Sequence, residues 1–210
     1  MKCEAWQYNS RLVVARIFHI RIRFGGLISV IARDTYLRGR GRMLVKLLDL
    51  FTIQDGKGDE YRTSELVTYL NDAIMIAPSM LFVPNISFSR VDADSFDVSL
   101  TDCGRTVTAR VFVDKNGAPK DFSTTDRFCS DPKCPKRLIR ARWRTPMDGF
   151  ELFDGRRRPL GGRAVWHLPQ GSFTYADFRL IPGTLVFNVP PDCESPGFDL
   201  WHSTSGVDNA

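Results

Sequence analysis

The chain has 210 residues, 43% of them hydrophobic and 25% charged, which excludes whole-chain disorder and lets one domain bury its own core without disulfides or metal. Its formal net charge of +5 concentrates before residue 50 and again over residues 133–163. Such patches suit anionic partners, or are solvated faces whose arginine stems cover apolar surface.

Residues 11–24 alternate from Ile17 on, with Ile17, Phe18, Ile20, Ile22 and Phe24 set against Arg16, His19, Arg21 and Arg23. Period two with β-branched residues predicts a half-buried strand. Its charges also disqualify the segment as a signal-peptide core. No stretch reaches the roughly 18 to 20 uncharged apolar residues of a membrane-spanning helix, so the default location is cytoplasmic. Gly25-Gly26 turns the chain into a returning strand over 27–36. Gly39 and Gly41 mark another turn, and 43–53 reads as a third strand closed by Asp55-Gly56-Lys57-Gly58.

The period then changes. Thr63 stands where an N-cap belongs and Glu65 falls in the first turn, where the helix dipole favours an anion. Leu66, Leu70 and Ile74 follow at spacing four with Val67 beside them, and Pro78 ends the helix. From Val83 strands resume over 87–91, 95–101, 106–114, 121–128, 138–143, 149–153, 162–168, 172–181 and 185–189, separated by turn residues. This spacing predicts a mainly β (α+β) fold, a curved, half-barrel-like antiparallel meander with one main helix on one face. Residues 1–190 are read as a single domain, and 191–210, rich in Pro, Gly, Ser and Asp, are expected to form a poorly ordered tail.

Catalytic signatures are missing. Gly39-Arg40-Gly41 and Gly56-Lys57-Gly58 complete no phosphate-loop pattern, and there is no nucleophile elbow or paired-histidine zinc motif. Cys3, Cys103, Cys129, Cys134 and Cys193 are an odd, scattered set, which argues against a disulfide framework. Cys129 and Cys134 have the spacing of a loop disulfide or of two zinc ligands, but no second ligand pair lies nearby. No metal or other cofactor is expected. His19, His167 and His202 are read as surface or packed side chains.

Glu65, Tyr69 and Asp72 share one helix face, so two carboxylates within two turns are placed for acid–base work if they line a cavity. The ordinary alternatives are helix capping for Glu65 and solvation for Asp72. Phe82, Phe88, Phe96, Phe112, Phe122 and Phe128 fall on successive strands and fill a core or line an apolar pocket. In RARWRT (140–145), Arg140, Arg142 and Arg144 alternate with Ala141 and Trp143, a pattern that suits single strands of nucleic acid without an accompanying motif.

A resemblance can be named on longer blocks. LISVIARDTYLRGRGRMLVKLLDLFTIQDGKGDEYRTSELVTYLNDAIMIAPSML, VDADSFDVSLTDCGRTVTARVFVDKNGAPKDFSTTDR and AVWHLPQGSFTYADFRLIPGTLVFN resemble an uncharacterised, largely bacterial domain-of-unknown-function family. The shared features are Gly39-x-Gly41, Asp55-Gly56-x-Gly58, the helix with Leu70 and Asp72, Pro78, Asp126-Arg127, and Trp166 before Pro169. The chain departs from it at Ile76 and Phe88, where members carry Trp. The resemblance implies no activity. The element order is also similar to the half-barrels of bacterial lipoprotein carriers, which implies an apolar ligand by analogy of fold alone.

The sequence is therefore read as a non-enzymatic binding domain for an apolar or lipid-like ligand. Leu66, Leu70, Ile74, Phe112 and Trp166 are its expected lining, and Arg127 is expected to meet an anionic head group, with Asp72 and Asp126 nearby. The alternatives are an enzyme using Asp72, Asp126 and Arg127, or a basic surface for nucleic acid or acidic membrane.

Overall fold

The computed structural model describes residues 3–25, 28–153, 155–181 and 183–188. Five strands precede the helix: β1 (Glu4–Ser10), β2 (Ala15–Phe24), β3 (Ile28–Leu37), β4 (Arg40–Leu47) and β5 (Phe51–Lys57). They pair in chain order, all antiparallel, as one open sheet. Helix α1 (Asp59–Met75) and a short 3-10 turn (Pro78–Leu81) follow.

A second open antiparallel sheet comprises β6 (Ile86–Arg90), β7 (Ser95–Asp102), β8 (Arg105–Val113), β9 (Pro119–Asp131), β10 (Cys134–Arg144), β13 (Gly161–Leu168) and β14 (Gly171–Arg179). Between β10 and β13, β11 (Phe150–Phe153) and β12 (Arg156–Pro159) form a separate hairpin. The fold is thus mainly antiparallel β with one main helix, its meander divided at α1 into two sheets. The helix packs on β9 and β8 of the second sheet and on β4, β3, β5 and β2 of the first.

Several boundaries differ from the sequence expectation. β1 went unpredicted because its inward-facing Ala5, Gln7 and Asn9 make no apolar row. The run 43–53 is two strands, reversed where Leu48 and Asp49 adopt φ of 51° and 61° and Leu50 N–H donates to the Leu47 carbonyl at 3.2 Å. The helix starts five residues early, with Gly58 (φ 107°) at the N-cap, so Thr63 lies inside it and donates to the Asp59 carbonyl at 2.7 Å. Residues 185–188 form no strand, and the tail expected beyond 190 lies outside the described residues.

Two glycines let the helix lie directly on the first sheet. A Cβ on Gly56 would sit 2.1 Å from the Tyr61 ring, and one on Gly41 would sit 2.4 Å from the Tyr61 carbonyl oxygen. The main core forms on the helix's other side, where Leu66, Leu70 and Ile74 meet Val98, Val111 and Phe122, each no more than 2% exposed. Cys3, Cys103, Cys129 and Cys134 are free thiols. Among the described residues no cluster of metal-ligating side chains forms, and no helix is long and apolar enough to cross a membrane.

Candidate functional site

Strand register fixes which side chains the first sheet turns toward the helix. Asn9, Arg16, Tyr36 and Gly41 align across β1 to β4, and Gln7, Phe18, Asp34 and Met43 form the next row. Helix α1 delivers Glu65 and Asp72 onto these rows. Arg16 Nε donates to Asp72 Oδ2 at 2.7 Å and its Nη1 to Glu65 Oε2 at 3.1 Å. Gln7 Nε2 donates to the same Asp72 oxygen at 2.7 Å. All three charged residues are at most 4% exposed, so this polar junction clamps the helix to the sheet.

A buried charge needs a partner, and the cluster holds more acid than base. Burial alone would lower the Arg16 guanidinium, but Asp72, Glu65 and Asp34 outweigh it and raise it further, so Arg16 stays cationic. Burial, and then the neighbouring Asp34, push Glu65 up to about 8 against the pull of Arg16 and Arg127. Burial also raises Asp34 and Asp72, in each case opposed by Arg16 and Arg127. Asp72, with the shorter Arg16 contact, takes the ionised role, while Glu65 holds a proton at neutral pH. Asp34 Oδ1 is buried without a hydrogen-bond partner among the described residues.

Arg127 reaches this cluster from the second sheet. Its guanidinium carbon lies 3.9 Å from the Trp143 ring centre and 5.6 Å from that of Trp166. Trp166 stacks on Tyr175 at 6.2 Å. The Tyr175 hydroxyl accepts from Trp143 Nε1 at 3.1 Å and from Arg127 Nη1 at 3.3 Å. Next along β9, Phe128 N–H donates to Ser64 Oγ at 3.1 Å, tying the strand to the helix. Arg127 Nε is buried and has no partner among the described residues. An orphaned donor and an orphaned acceptor thus belong to one electrostatic neighbourhood, the chemistry a polar ligand group would satisfy.

The residues singled out from sequence divide accordingly. Asp72, Arg127 and Trp166 come together around the junction. Leu66, Leu70 and Ile74 do not line open space, because the core consumes them. Phe112 is half-buried and pairs with Ser95 and Asp121 on the face of the second sheet turned away from the helix. Asp126 also faces away, since neighbours on a strand point to opposite sides. It pairs with Arg140 and accepts from Thr108 N–H at 2.8 Å. Asp72, Asp126 and Arg127 therefore share no cavity. Arg144 is likewise paired, with Asp121, so two arginines of the 140–145 stretch already have carboxylate partners. Glu65 is not a cap and Asp72 is not solvated, since both are buried. Arg16, Asp34 and Tyr175 were missed.

Open apolar surface lies elsewhere. Beyond Asp34 the first sheet continues past the helix, and its helix-side face carries Ile20, Ala32 and Val45, then Ile22, Val30 and Leu47, then Phe24 and Ile28. None is charged, none is fully buried, and none belongs to the core or packs against it. From Asp34 to Ile28 this ledge runs about 20 Å at the rise of a strand. A separate open groove of about 560 Å³ lies at the sheet's other end, between Leu12, Val13, Arg38, Val83 and Cys103.

A family model matches residues 1–178, and the chain belongs to that family of unknown function, DUF6544. No curated protein and no solved structure matches it.

Proposed function

We propose that this member of DUF6544 is a non-enzymatic binding domain for a lipid-like ligand, held on the half-buried ledge of the first sheet rather than against the helix. The observation that carries the reading is the uncharged row of Ile20, Ile22, Val30, Val45 and Leu47, facing inward yet outside the core. An apolar chain laid there gains about 0.8 kcal/mol for each methylene removed from water. The polar end of the ligand meets the junction, with an acceptor for Arg127 Nε–H and a donor for Asp34 Oδ1.

The test is native mass spectrometry of the purified protein with organic extraction of bound lipid, alongside titration with an apolar fluorescent probe. Wild type takes up lipid or probe with defined stoichiometry. Val30→Asp, which puts a charge in mid-ledge, loses uptake while keeping its circular dichroism. Absence of lipid and probe from folded wild type, or unchanged uptake by Val30→Asp, overturns the proposal.

A further inference from the structure

The ledge ends at a part of the surface with its own character. The turn between β4 and β5 and the facing ends of β2 and β3 lie side by side. Leu48 N–H donates to the Ser29 carbonyl at 2.7 Å, Ser29 Oγ to Asp49 Oδ1 at 3.3 Å, and Arg21 reaches Asp49 at 3.7 Å. Across this tip Phe24 is 45% exposed, Ile28 49%, Leu48 42%, Leu50 76% and Phe51 63%. Asn or Gly ordinarily holds the two positive-φ positions of so tight a turn, yet the chain places Leu48 in one of them. A large apolar side chain is thus displayed where the backbone favours a small or polar one.

Behind the apolar tip stand Arg21, Arg23 and Lys46, opposed locally by Asp49. Apolar side chains at the extremity with long basic ones set back from it match a bilayer interface: the apolar groups enter the acyl boundary and the cations reach anionic head groups. A protein partner would more often present a flat patch with a hydrophobic centre and a polar rim around it.

We propose that this tip docks on the surface of an anionic lipid bilayer, placing the open end of the ledge against the source of its ligand. The docking site adjoins the ledge and shares Phe24 and Ile28 with its open end, and its purpose rests on the ligand-binding reading. The experiment is cosedimentation with vesicles of phosphatidylcholine containing 30% phosphatidylglycerol, compared with pure phosphatidylcholine. Wild type partitions to the anionic vesicles, and added salt weakens binding. The exposed-residue variant Leu48→Ser/Leu50→Ser and the charge variant Arg21→Glu/Arg23→Glu each lower partitioning by roughly tenfold or more.

Probe uptake separates the two proposals. Val30→Asp still sediments with vesicles but takes up no probe, and the serine variant takes up probe but stays in the supernatant. Failure of folded wild type to bind anionic vesicles at low salt overturns the docking proposal, as does full binding by both tip variants.

Discussion

Glu65→Gln tests whether the buried junction holds a proton. In the folded chain Glu65 is pushed up to about 8, from an ordinary 4.5, by burial and then by Asp34. Arg16 on β2, Asp34 on β3, Asp72 on the same helix and Arg127 on β9 all act on it. Between these limits the folded chain keeps a proton that the unfolded chain has released. Stability from this site is therefore full below about pH 4.5 and lost as pH rises through about 8. The slope is about 1.4 kcal/mol per pH unit, with a ceiling of about 5 kcal/mol across the window. The glutamine amide keeps the shape and a donor but cannot ionise. Asp34 and Asp72, also raised, contribute slopes of the same sign in both proteins, so the difference between them isolates Glu65. Urea unfolding at pH 5, 6, 7 and 8, with constant m-values, reads that difference: wild type loses stability relative to Glu65→Gln with each step. Parallel curves for the two proteins would refute the argument.

Two further substitutions probe how the helix is held on the first sheet. Arg16→Leu leaves Glu65 and Asp72 buried without their cation and costs about 3–5 kcal/mol, measured as a fall in the denaturation midpoint at pH 7. Gly56→Ala drives a methyl into the Tyr61 ring and costs about 1–3 kcal/mol by overpacking, whereas Gly117→Ala, with no atom within 4 Å of its Cβ, is strained only by its positive φ; thermal melts of the two variants compare them.

The fold was legible where one face of an element was uniformly apolar. β2 and β3 announced themselves by alternation, α1 by its stripe of Leu66, Leu70 and Ile74, and the later strands by turn residues at regular intervals. β1 stayed hidden because its inward row carries Gln7 and Asn9, whose partner is the Asp72 carboxylate rather than the core. The turn at Leu48 and Asp49 stayed hidden because neither residue is the glycine or asparagine that such a reversal favours. The expected ligand lining failed for another reason. Amphipathicity shows that a helix face is buried, but not whether protein or ligand buries it, and here Val98, Val111 and Phe122 already do.

The junction itself left a trace in the sequence, one of parity rather than motif. Even-numbered residues of β2 face the helix: Phe18, Ile20, Ile22 and Phe24 are apolar, and Arg16 is the fifth member of that row. In β3 the same parity places Asp34 among Ile28, Val30, Ala32 and Tyr36. A charge in step with an apolar face carries a desolvation penalty, which chance placement on a surface never requires. An arginine and an aspartate breaking the pattern on adjacent strands, followed by Glu65 and Asp72 beside the helix's apolar stripe, imply one shared buried site, because each charge makes the others tolerable. What parity cannot supply is the second sheet's contribution. Arg127 stands on the inner face of β9 while its sequence neighbour Asp126 turns outward to Arg140, and only the pairing of Ala141 with Arg127 and of Trp143 with Thr124, across a bulge in β9, sets that phase.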